Sequence, residues 1–211
     1  MKKRLLSAIL SLCLLLTMAP TVAFAAETIT GSCGEDLTWS LDNTTGTLTI
    51  SGTGSMPNYD PSNQRYQPWK DNMDNIKTVV IENGVERIGQ RSFQSAKNLK
   101  ELTLNGNVII GDRAFQGVAL EKINGQEYIT KIEGRAFKNL NVNTLDLSNV
   151  TEIGEYAFES ASGLKSITVS DKLLKIKDHA FIQSGLTKIE LPNQVDITNS
   201  TALFYSCKDL E

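Results

Sequence analysis

Residues 99–115 read Leu99-Lys100-Glu101-Leu102-Thr103-Leu104-Asn105-Gly106-Asn107-Val108-Ile109-Ile110-Gly111-Asp112-Arg113-Ala114-Phe115, and variants of this stretch recur along most of the chain. Its opening is an apolar–x–x–apolar–x–apolar run. The last two apolar residues, spaced by two, point to one side of a short strand, and the residue between them points to the other. The run returns as Ile76/Val79/Ile81, Val142/Leu145/Leu147, Leu164/Ile167/Val169 and Leu186/Ile189/Leu191. One copy keeps Leu120 and Ile123 but has Gly125 at the last place. A second apolar pair follows, as in Val85/Ile88, Ile129/Ile132, Val150/Ile153 and Leu173/Ile176. A turn then leads to Ser92-Phe93, Ala114-Phe115, Ala136-Phe137, Ala157-Phe158 or Ala180-Phe181. With Phe204, the six phenylalanines lie 22, 22, 21, 23 and 23 residues apart. A period in the twenties with an aliphatic pattern inside each unit means a solenoid. One such unit cannot bury its apolar face alone and becomes stable only by stacking on its neighbours. Strands stacked coil upon coil run parallel, so the expectation is an α/β, β-rich repeat with a curved parallel sheet. Short turns or helical pieces would lie opposite it.

The 211 residues, 40% hydrophobic and 21% charged, suit one folded domain of ordinary size. Residues 1–25 are read as a signal peptide. Lys2, Lys3 and Arg4 precede an apolar run from Leu5 to Leu16, and Ala23-Phe24-Ala25 is a small-x-small cleavage site. The run is too short for a membrane span, so a secreted mature chain without membrane insertion is expected. Removing three of 21 basic residues leaves 18 against 24 acidic ones. Such an acidic balance argues against a nucleic-acid partner, which requires phosphate neutralisation. Cys33 and Cys207 stand at opposite ends of the array. At roughly 4.8 Å per coil they are tens of ångströms apart, beyond disulfide reach, and both are read as free, small, buried residues.

Two further segments flank the repeats. Leu37/Trp39/Leu41 and Leu48/Ile50 alternate with polar residues around the turn-forming Asn43 to Gly46, which predicts a β-hairpin with one apolar face. Within 26–75 it would cover the first coil of a solenoid spanning 76–211. Ser55 to Asn75 is irregular, with Met56, Pro57, Tyr59, Pro61, Tyr66, Pro68 and Trp69. Either Tyr59 and Tyr66 form an exposed binding tip, or Pro68-Trp69 packs over the first coil. At the other end Cys207-Lys208-Asp209-Leu210-Glu211 reads as the start of a seventh unit without a polar cap, as in a fragment of a longer chain.

The repeat pattern resembles the BspA-like, or treponemal-type, leucine-rich repeats, whose unit reads roughly L-x-x-I-x-L-P-x-x-L-x-x-I-G-x-x-A-F-x-x-C. The resemblance covers about Ile76 to Glu211 and rests on Ile88-Gly89, Ile110-Gly111, Ile153-Gly154 and the small-Phe pairs. It departs at Glu133 and Lys177, where Gly is usual, and in the stretched sixth copy. Gly31-Ser32-Cys33-Gly34 and Gly46 to Gly54 also resemble the leader module of such proteins. The resemblance implies a right-handed leucine-rich-repeat solenoid. It also implies a bacterial surface or secreted protein that adheres to host matrix proteins, host cells or other microbes without catalysis.

Catalysis finds little support in the residues themselves. His179 is the single histidine, too few for a His-rich metal site, and it is read as a surface residue. No G-x-S-x-G elbow is present. Asp71 and Asp74 lack the spacing of a calcium loop. Neither metal nor cofactor is expected. Asn43, Asn149 and Asn199 are glycosylation acceptors only in a eukaryotic host.

Binding then falls to two surfaces. The outward strand positions, such as Thr78/Val80/Glu82, Glu101/Thr103/Asn105 and Ser166/Thr168/Ser170, are polar and poor in the aromatics that make protein hot spots. Two residues before each Phe stand Arg91, Arg113, Arg135, Tyr156 and His179, at equivalent places one coil apart. Guanidinium groups bind carboxylate, sulfate or phosphate in two-pronged fashion. The ladder is either a ridge for an anionic glycan or acidic protein segment, or a surface neutralised by Asp112, Glu133, Glu155 and Asp178. A third reading makes the chain a spacer for a further domain. Oligomeric state stays open.

Overall fold

A computed structural model describes residues 27–200 and 202–211. The proposed signal peptide lies outside them. The repeat runs become short parallel strands wherever alternate residues can bury. β5 (Thr78–Ile81), β7 (Glu101–Leu104) and β9 (Lys122–Asn124) pair in parallel register, with Val79, Leu102 and Ile123 aligned and buried. Before them, β1 (Thr28–Ser32), β2 (Leu37–Asp42) and β3 (Thr47–Gly52) form an antiparallel meander. β3 then pairs parallel with β5, so the meander and the first coils share a six-stranded sheet.

The second apolar pair of each repeat builds another sheet, wholly parallel. Its strands are β4 (Gly54–Ser55), β6 (Val85–Ile88), β8 (Val108–Ile110), β10 (Ile129–Ile132), β12 (Glu152–Ile153) and β14 (Lys175–Ile176). The first sheet breaks after β9. Gly125, at φ 72°, turns the chain into a 3-10 segment, Gln126–Tyr128. The Gln126 carboxamide oxygen accepts the Asp146 N–H at 2.7 Å, replacing a missing strand. β11 (Thr144–Leu147) and β13 (Ser166–Val169) form a separate parallel pair.

The third side of each coil holds the phenylalanines. Trp69, Phe93, Phe115, Phe137, Phe158, Phe181 and Phe204 stack in one column, with centroids 5.3–5.8 Å apart and rings within 16° of parallel. Offset stacks of this kind add roughly 0.5–1.5 kcal/mol per pair beyond area burial. Around the rings the backbone alternates in hand. The residue two before each Phe from Phe93 to Phe181 has φ of 54–57°, and the residue two after each Phe from Phe93 to Phe204 lies at 56–73°. Every second N–H therefore points at the next coil: Arg91 to Asp112, Phe93 to Ala114 and Ser95 to Gln116, at 2.9–3.0 Å.

That alternation corrects the α/β expectation. A left-handed residue ends a helix, and here two stand four residues apart in each phenylalanine turn from Phe93 to Phe181. Among the described residues helix is limited to 3-10 pieces at Pro61–Asn63, Lys70–Asn75 and Gln126–Tyr128. The solenoid is built of strands and turns. One apolar cluster runs through it from Cys33 to Leu203.

Candidate functional site

The residues two before each Phe share one backbone conformation and one side of the solenoid, yet their side chains do not form a uniform ladder. Arg91 pairs with Asp60 at 3.0 Å, and its carbonyl accepts from the Gln67 carboxamide. Asp60 also accepts from the Ser62 side chain and backbone; these bonds, with the Arg91 charge, hold its carboxyl below the usual range. Arg113 is neutralised by the adjacent Asp112. Arg135 differs. Among the described residues it has no carboxylate within salt-bridge distance, and its guanidinium lies 4.4 Å over the Tyr156 ring. Tyr156 in turn stacks on His179, with centroids 4.7 Å apart and planes 17° from parallel. His179 Nδ1 is 2.9 Å from Asp178 Oδ2, within ion-pair distance but off-line for a hydrogen bond.

Three planar groups, Arg135, Tyr156 and His179, thus form a partly exposed column, held in register by backbone bonds such as Tyr156 N–H to Asp178 O at 3.2 Å. Burial works against ionisation of Asp178. The Ala202 and His179 N–H groups and the His179 ring outweigh it and keep the carboxyl below its ordinary value.

Glu133, expected to neutralise the ladder, points elsewhere. Its carboxylate takes Arg87 two-pronged, at 2.7 and 3.2 Å, and accepts the Asp112 N–H at 2.9 Å. Sequence reasoning did not single out Arg87. Its one signal was Glu133 itself, a carboxylate where the pattern has glycine.

The aromatic segment is corrected as well. Tyr59 is 2% exposed, edge-on to Trp69, and its N–H donates to Gln90 O. It cannot form a binding tip, because its ring is buried against Trp69. Tyr66 is 45% exposed, with the Lys70 ammonium 4.3 Å over its ring. Cys33 and Cys207 are both unbridged. Only Cys33 is fully buried; Cys207 is half-buried, its thiol donating to Phe181 O at 3.0 Å.

The strand face carries charges that answer each other across coils. Lys122 pairs with Glu101 at 3.0 Å, and Asn124 bridges Glu101 and Thr103. The surface depressions are open; one, of about 250 Å³, is lined by Glu155, Lys177, Asp178, Asp196 and neighbours. Among the described residues no three His, Cys, Asp or Glu side chains are placed to hold a metal ion, and no helix is long and apolar enough to cross a membrane.

Stacked 21–24-residue coils with an aliphatic strand and a phenylalanine turn define a leucine-rich-repeat scaffold. The chain belongs to the BspA type leucine rich repeat region family, whose pattern matches in six copies over residues 71–109 and 105–211. Solved structures share the fold. A leucine-rich repeat protein from Eubacterium ventriosum is 26% identical, with a TM-score of 0.62, over 88% of this chain and 43% of its own. A leucine rich cell surface protein from Faecalibacterium prausnitzii is 19% identical, with a TM-score of 0.55, over 87% of this chain and 53% of its own. The pneumococcal vaccine antigen PcpA is 17% identical, with a TM-score of 0.52, over 86% and 48%. The chain spans about half the length of these structures. Among curated proteins no significant sequence match is found.

Proposed function

We propose that the protein is a secreted or surface-displayed bacterial interaction module that adheres to extracellular proteins, on host matrix, host cells or other microbes, without catalysis. Family membership carries this reading, together with an elongated scaffold whose sheet faces present outward polar residues. In it residues 1–25 direct export, and residues 26–75 form the cap of a right-handed solenoid spanning 76–211. The hand follows the general rule for parallel crossovers. The cap reading is supported by Trp69, which supplies the first ring of the column and donates its indole N–H to Ser92 O at 3.2 Å.

A second reading has one specific observation in its favour. The Arg135–Tyr156–His179 column offers an uncompensated guanidinium beside two planar rings, as an anionic sugar would use. The purified protein from Ala26 onward is to be tested on immobilised fibronectin, fibrinogen and an anionic-glycan panel at two salt concentrations. Salt-resistant protein binding supports adhesion. Salt-sensitive glycan binding supports the column. Silence on every surface rejects both and favours a spacer.

A further inference from the structure

The outermost strand of the six-stranded sheet is β1, which pairs only with β2 among the described residues. Asn43 N–H donates to Glu27 O at 3.2 Å and Cys33 N–H to Leu37 O at 3.0 Å. Hydrogen-bonded pairs alternate in an antiparallel ladder, so Ile29/Leu41 and Gly31/Trp39 are the bonded pairs between them. The N–H and C=O groups of Thr28, Thr30 and Ser32 therefore face away from the sheet. Proteins guard such edges with Lys, Pro, bulges or very short strands. The second sheet follows that rule: its edge strand β4 has two residues and an irregular register. β1 has five residues, with no charge and no proline.

We propose that two copies of this chain join through β1 as an antiparallel pair, continuing the sheet across a twofold axis at Thr30. In that register Thr30 faces Thr30 of the second copy, and Thr28 faces its Ser32. Like charges do not meet, and hydroxyl pairs of this kind are favourable across strands. On the inner side, Ile29 of each copy falls opposite Gly31 of the other. Gly31 lies against the Trp39 indole so closely that a Cβ would be 2.6 Å from Nε1. Ile29 is only partly buried in the single chain. In the dimer it lies beside Gly31, against the Trp39 indole that already covers that glycine. The absence of charge and this apolar match favour a second copy over an unrelated extended peptide.

A five-residue strand pair is small beside the roughly 1,200–2,000 Å² of standard interfaces, so self-association in the range of roughly 10–100 µM is expected. Sedimentation velocity over that range, on the protein from Ala26 onward, gives the first reading. The residues from 27 on contain the whole core described above. Wild type is expected to pass from monomer to dimer. Thr30→Lys and Thr30→Glu are each expected to stay monomeric with unchanged thermal unfolding, because the Thr30 side chain is exposed. An equimolar mixture of the two variants should restore the dimer, since residue 30 meets itself. A wild type that stays monomeric overturns the proposal, as does dimerisation that persists in each single variant. Should both variants unfold, hydrogen exchange on wild type decides. Protection of the Thr28, Thr30 and Ser32 amides rising with concentration supports the pairing, and constant exchange rejects it.

Discussion

The guanidinium of Arg87, in the first coil, grips the carboxylate of Glu133, in the third, at 2.7 Å across the intervening turn. It reaches because Gly111 leaves room: a Cβ there would lie 3.1 Å from the Arg87 terminal nitrogen and 2.2 Å from Ile88 O. Both side chains are largely sheltered, at 19% and 27% exposure. Coils in a solenoid contact mainly their neighbours; this pair ties together coils two apart.

Glu133→Gln is expected to lower unfolding free energy by about 1.5–3 kcal/mol, the range for hydrogen bonds to charged groups, measured by urea titration. Gly111→Ala should cost at least as much, through its backbone collision. Burial alone raises the Glu133 pKa, but Arg87 and the Asp112 N–H outweigh it, leaving it lowered. The folded value lies below the unfolded one, so the stabilisation is present above the unfolded value and lost as pH falls through the folded one. The gap between wild type and Glu133→Gln should close in acid. A gap independent of pH rules out the ion pair as its source.

Trp69 is fully buried and supplies both a ring on Phe93 and a donor to Ser92 O. Trp69→Ala is expected to cost about 3–5 kcal/mol. Trp69→Phe should keep the stack and lose about 1 kcal/mol for the bond. Hydrogen exchange in Trp69→Ala should rise most around Phe93 and fade toward Phe181. Uniform loss along the chain argues against a cap role for Trp69.

The two left-handed positions per coil are occupied mostly by residues that resist that conformation. Ser95→Gly, at φ 61°, is expected to gain up to about 1 kcal/mol. Gly117→Ala, at φ 73° with only Ser95 Oγ near its Cβ position at 3.7 Å, should lose about that much. Paired thermal melts decide both signs, and a neutral Gly117→Ala refutes the strain argument.

If an anionic ligand binds the column, Arg135→Ala should weaken it tenfold or more, corresponding to about 1.4 kcal/mol. Arg113→Ala, already neutralised by Asp112, should change little. Equal losses in the two variants, read by calorimetric titration, remove the special standing of Arg135.

The thiols should differ in reactivity. Burial raises the Cys33 pKa to about 11, whereas Cys207 is half-buried. Iodoacetamide at mildly alkaline pH should label Cys207 first, by mass spectrometry of the native protein. Prior labelling of Cys33 contradicts the described core.

The spacing of Phe93 to Phe204 and the aliphatic runs determined the coil, its strands and its inward residues, because burial on a strand follows a local alternation. They also marked Glu133 and Gly125 as departures. The use made of those departures was decided only by the tertiary structure. Arg87 and Glu133 are 46 residues apart and meet because successive coils stack with Gly111 between them. Trp69 joined the ring column, and Tyr59 went inside, because Phe93 stacks on the one, Ser92 O accepts its indole N–H, and the other packs edge-on against it. The left-handed turns escaped the sequence altogether: Arg113, Tyr156 and Gln183 have no local preference for that conformation. Bonds to the next coil hold each there, and no single repeat contains that partner.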